Sequence, residues 1–112
     1  MKTTEQVLLE ISTVQVTELQ AWVAADWVRP DRAGAELRFS DADVARVRLV
    51  HELRHDLAID DETIPLLLSL MDQLYDARYR LRALLESLQE ERPEVRRRVL
   101  ARYARTLGAG GA

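Results

Sequence analysis

His51-Glu52-Leu53-Arg54-His55 is the stretch whose residue types and spacing could do chemistry: two imidazoles four apart, with a carboxylate beside the first. On a helix, residues four apart share a face. Two such histidines can hold Zn²⁺ while the glutamate acts as general base on a bound water, as in the H-E-x-x-H zinc hydrolases. A third ligand is required. The extended form H-E-x-x-H-x-x-G-x-x-H fails, because Ala58 and Asp61 stand where its Gly and last His belong. Asp72 or Asp76 could supply a ligand in principle, but nothing in the sequence offers a substrate cleft or a long edge strand. There is no glycine-rich phosphate loop, no G-x-S-x-G, and no pair of acids marked out for acid–base work. The expectation is a non-enzyme without metal or cofactor, in which His51 and His55 flank a structural stripe.

That stripe belongs to the element the chain is organised around, Ser40 to Leu57. Ser40 is a good N-cap and Asp43 stands in the capping-box position. Asp41 and Asp43 place negative charge on the positive end of the helix dipole. Val44, Val47, Val50, Leu53 and Leu57 recur at spacings of three and four, which predicts one buried face.

Upstream lie shorter pieces. Thr3 or Thr4 caps a first helix with Val7, Leu8 and Ile11 inward, and Ser12-Thr13-Val14 breaks it. A second helix is predicted from about Thr17 to Asp26, with Leu19, Trp22 and Val23 on one face. Trp27–Pro30 and Ala35–Phe39 read as two short strands around a turn at Asp31-Arg32-Ala33-Gly34. Trp22, Trp27 and Phe39 are the expected aromatic core. Two short helices and a hairpin make a winged helix-turn-helix.

Downstream, Ile59 should tuck inward, Asp60 or Asp61 should cap the next helix, and Pro65 suits its first turn. That helix is predicted from about Glu62 to Glu91, stopping before Pro93. Leu67, Leu74, Leu81 and Leu88 are seven apart, and Leu70 or Met71, Ala77 and Leu84 or Leu85 fill the other seam of a heptad pattern. Thirty residues span roughly 45 Å at 1.5 Å per residue. So small a domain cannot cover that length, so Leu74, Leu81 and Leu88 are expected to meet a second copy. A last helix, Glu94 to Leu107, carries Val95, Val99, Tyr103 and Leu107 on one face and a run of arginines. The expected organisation is a winged domain over 1–61, the long and terminal helices over 62–107, and a disordered tail over 108–112.

Charge decides between partners. Residues 1–62 hold 7 Lys or Arg against 13 Asp or Glu, a net of −6, and residues 63–112 hold 9 Arg against 6 acids, a net of +3. Duplex DNA needs phosphate contacts from cations. The helix that would enter the groove, Thr17 to Asp26, has no Lys or Arg and carries Glu18 and Asp26. Direct DNA binding is disfavoured, and a basic protein partner is favoured. No apolar run reaches the roughly 18 residues of a membrane helix, the N-terminus lacks a signal-peptide pattern, and there is no cysteine. No membrane partner is expected, and the location expected is cytoplasmic.

Phe39-Ser40-Asp41 opening a helix that closes with Leu53-Arg54-His55-Asp56-Leu57, followed by an acidic cap and Leu68-Ser69-Leu70-Met71-Asp72-Gln73-Leu74, resembles the chaperone-modulator family CbpM. That family is itself similar to MerR-type regulators. The resemblance covers about residues 3–91. It implies a mainly α fold: a MerR-like winged helix-turn-helix with a small β-hairpin wing and a long C-terminal helix. It also implies a function: binding the J-domain of a CbpA-type, DnaJ-like co-chaperone and inhibiting both its stimulation of DnaK and its DNA binding. The J-domain helix that docks on DnaK is basic in this class, and the first half of this chain is acidic. Asp41, Glu52, His55 and Asp56 fall away from the apolar stripe, as does Ala45, and Asp60, Asp61 and Glu62 lie just beyond it. These acids and His55 are the expected J-domain contacts. The alternative is a MerR-like DNA-binding transcriptional regulator.

Overall fold

In the computed structural model, which describes residues 1–110, the chain is mainly helical with one two-stranded hairpin. It divides into two compact units, Met1–Leu70 and the part from Met71 onward.

The first unit opens with α1 (Thr4–Glu10) and α2 (Val16–Ala24). Thr3 caps α1 in a full capping box with Gln6. Gln15 accepts no side-chain cap contact of ordinary geometry, but Glu18 reaches back to its N–H at 3.2 Å. Val7, Ile11, Val14, Leu19 and Trp22 are buried.

The second strand falls within the expected Ala35–Phe39, but the first sits later than the residue pattern predicts. β1 is Asp31–Ala33 and β2 is Glu36–Arg38, paired antiparallel with Ala33 opposite Glu36. Trp27–Pro30 is therefore not a strand. Gly34 explains the shift. It takes φ +66° at the first of two loop residues, Gly34-Ala35, where a type II′ hairpin turn wants glycine. The turn is thus centred two residues beyond the centre of the expected Asp31–Gly34 turn. Val28, freed from the ladder, drops into the core, while Trp27 stays half-buried at its edge and Phe39 is fully enclosed. Lys2 pairs with Phe39 through two backbone hydrogen bonds, 2.8 and 2.7 Å, and so lays the N-terminus beside the hairpin.

α3 (Asp41–His51) starts as expected, with Ser40 and Asp43 exchanging a capping box at 3.1 and 2.9 Å. Val44, Val47, Val50 and Leu53 are buried. The helix does not continue regularly to Leu57. Glu52–Asp56 forms a π turn, closed by Leu57 N–H donating to Glu52 O at 3.0 Å. The extra residue in that turn rotates the positions after it, and Leu57 ends 63% exposed instead of joining the stripe. Ala58 then adopts left-handed φ +52°, and Ile59 N–H reaches back to Leu53 O at 2.8 Å. Ile59 packs on the core, as expected.

α4 (Ile64–Gln89) comes next. Ile64 and Leu68 are buried with the valines of α3, so the first turns of α4 belong to the first unit. The boundary falls at Leu70/Met71 rather than at residue 61. In the second unit, the rest of α4 and α5 (Pro93–Gly110) bury no side chain among the described residues. Leu74 and Leu81 are 49% and 51% exposed and Leu88 is half-buried. α5 passes the expected end at Leu107, because Gly108 keeps helical backbone there rather than the left-handed turn that stops helices. Of the expected tail, Gly111 and Ala112 lie outside the described residues. No helix is long and apolar enough to cross a membrane.

Candidate functional site

The H-E-x-x-H residues run from the last residue of α3 through the π turn, and both histidines contact the α1–α2 pair. His51 Nε2 lies 2.9 Å from Thr13 Oγ1 in the turn between α1 and α2. His55 Nε2 lies 2.7 Å from Glu18 Oε2 on α2. The two rings touch, with centroids 4.6 Å apart and planes tilted by 45°. Both Nε2 atoms, the usual zinc donors, thus face partners on the helical pair, and His51 Nδ1 is buried without one. Among the described residues no three His, Cys, Asp or Glu side chains cluster as metal ligands.

Glu18 is the hinge of this arrangement. Partial burial by itself raises its carboxyl. Hydrogen bonds from His55 and the Gln15 N–H, with the charges of His55 and Arg54, outweigh that and hold the group below the usual 4.5. Arg54 pairs in turn with Asp61, beyond the left-handed Ala58. Asp60 is held below the usual 3.8 by the Thr63 hydroxyl, with the Thr63 and Glu62 N–H groups adding to it. Its Oδ1 accepts from Thr63 N–H at 2.8 Å just before α4 begins, as the sequence predicts for a cap.

Of the seven residues expected to meet a partner, six gather here. Glu52, His55 and Asp56 lie on the π turn and Asp60, Asp61 and Glu62 in the turn beyond it, all exposed. Asp41 does not join them. It stands at the other end of α3, about 16 Å away along the axis, beside a hollow lined by Met1, Lys2 and Glu10. Glu10 there is pulled below its usual value chiefly by a hydrogen bond from Lys2, against some desolvation, with Arg48 contributing at 3.0 Å.

Residue patterns did not reveal a groove of about 370 Å³ beside the acidic end. Its floor is the exposed side of α2, Thr17, Ala21 and Ala25, and its aromatic walls are Trp22 and Trp27. Glu18, Arg54 and Asp61 close its other rim. Arg46 fixes the Trp27 wall by donating from Nε to Trp27 O at 2.8 Å. The one sequence signal for it was the i, i+4, i+8 spacing of small residues from Thr17 to Ala25.

The exposed side of α2 also bears on DNA. Val16, Thr17, Gln20, Ala21 and Ala24 face solvent, with no cation among them. No family model, curated protein or solved structure matches the chain.

Proposed function

We propose that this chain is a CbpM-like chaperone modulator. In this reading α1, α2 and the hairpin act as a winged helix-turn-helix of MerR type that has given up DNA for protein. The acidic end of the first unit binds the J-domain of a CbpA-like co-chaperone. Covering the J-domain's basic helix would block stimulation of DnaK and, in the same co-chaperone, DNA binding. Two copies join through the α4 seam at Leu74, Leu81 and Leu88, in a cytoplasmic setting.

One observation carries the reading. The segment that most resembles the family, Leu53-Arg54-His55-Asp56-Leu57, forms the π turn and presents Glu52, Asp56, Asp60, Asp61 and Glu62 together on one exposed end. A surface of this charge attracts a basic helix and repels phosphate. Asp41, at the opposite end of α3, is not part of the proposed contact.

The test is charge reversal. Asp56→Lys with Asp61→Lys should weaken binding to the isolated J-domain by about tenfold or more, mostly through the association rate. Unchanged affinity in the double variant would sink the acidic-end mechanism. The rival, a DNA-binding regulator, predicts retarded genomic fragments in a gel shift; the cation-free face of α2 argues against it.

A further inference from the structure

We infer that the groove between α2 and Trp27 is the seat for one turn of a basic amphipathic helix of the partner. An aliphatic side chain would lie over Ala21 and Ala25, and a Lys or Arg would face Glu18 and Asp61. The inference rests on the J-domain reading and locates its apolar half.

Three features on the same surface point to this occupant. The first is shape. Thr17, Ala21 and Ala25 lie along one ridge of α2 at spacings of four, and their short side chains let a second helix approach closely. The second is apolar wall. Trp27 is held at the groove edge by the Arg46 bond to its carbonyl, and its half-buried ring is available to an aliphatic or cationic side chain. The third is charge. Asp26 adjoins one end of the floor, and Asp56, Asp60 and Glu62 lie on the segments that carry Arg54 and Asp61. Glu18 and Asp61 on the rim are paired with His55 and Arg54, so the surplus negative charge beside the groove is that of the exposed Asp26, Asp56, Asp60 and Glu62, with Arg29 and Arg46 on the Trp27 side.

An acidic or purely apolar occupant would leave that excess unanswered. Nucleic acid would be repelled by it. A helix with cations flanking an aliphatic ridge answers both shape and charge, and it engages the groove and the acidic end at once. Helix-in-groove recognition has this form.

Trp22 and Trp27 are the only tryptophans, so two indole resonances report on the site. The experiment titrates the ¹⁵N-labelled full chain with the isolated J-domain of the host's CbpA-like protein. Calorimetry then compares the wild type with Ala21→Arg, a change at an exposed helical position that the fold tolerates. The expected result is a perturbed Trp27 indole signal and at least tenfold weaker binding by Ala21→Arg, with an unchanged melting temperature. J-domain binding that leaves Trp27 and the Ala21→Arg affinity unmoved would overturn the groove but leave the modulator reading standing. Absence of wild-type binding would overturn both. A change of self-association in Ala21→Arg with unchanged J-domain affinity would assign the groove to a second copy and overturn the inference.

Discussion

Ala58 offers a sharp perturbation, because one backbone angle joins the π turn to the acidic loop. At φ +52° its Cβ is crowded by the backbone, which costs an L-residue roughly 1–2 kcal/mol. Ala58→Gly removes that strain but adds freedom to the unfolded chain, a cost of about 0.4–1 kcal/mol. The net expected is a gain of about 0.8 kcal/mol, within about 0–1.6 kcal/mol. For a unit of this size that is a rise of roughly 2–8 °C in melting temperature. Ala58→Val runs the other way: a β-branched side chain is a poor fit at positive φ and should cost at least about 1 kcal/mol. Both tryptophans lie in the first unit, so urea unfolding followed by their fluorescence reads this unit directly. The geometry also predicts that Ala58→Val loosens the Ile59-to-Leu53 bond and exposes Ile59. Refutation would be an Ala58→Gly variant less stable than the wild type, since relief of a left-handed alanine cannot be outweighed by the added freedom of the unfolded chain.

Other consequences are as direct. Leu68→Ala should destabilise the first unit by about 2–5 kcal/mol, because Leu68 is 3% exposed within its core; a boundary at residue 61 would predict almost none in tryptophan-detected unfolding. Glu18 and Glu10 sit below the usual 4.5 and Asp60 below 3.8. Depressed carboxylates contribute stability that is complete above the unfolded values and is lost as pH falls through the lower folded ones. Urea midpoints should therefore start to drop below about pH 4.5, and Glu18→Gln should blunt the slope there. Leu81→Lys should convert a dimer to a monomer in light scattering at tens of micromolar, whereas a monomeric wild type would contradict the α4 seam.

The parts of the fold legible in the sequence are those fixed by local chemistry. Ser40 with Asp43 is legible outright, and the caps before α1 and α4 are legible to within one residue, as Thr3 or Thr4 and Asp60 or Asp61, because a cap is a contact three residues long. The valine stripe of α3 was equally plain. The structure departs from the residue pattern where a turn geometry or a contact distant in sequence decides. The strand expected at Trp27–Pro30 reflected β-forming residue types, but Gly34 set the register and released Val28 to the core. Leu57 fits the helical period, yet the π turn rotates it out. No residue type advertises that turn. It is sustained by His51 reaching Thr13 and His55 reaching Glu18, contacts 38 and 37 residues apart. For the same reason the candidate site was legible as a list of acids but not as a place. Six of the seven expected residues converge, Asp41 does not, and Glu18 and the Trp27 groove emerge only when α2 is laid against the π turn.

Titration calorimetry of the full chain against the isolated J-domain of the host's CbpA-like protein, at low and raised salt, tests the central claim most directly. The account predicts tight binding at low salt that weakens markedly as salt screens the acidic end. Binding that ignores salt would contradict the electrostatic mechanism, and no binding under either condition would contradict the proposed function itself.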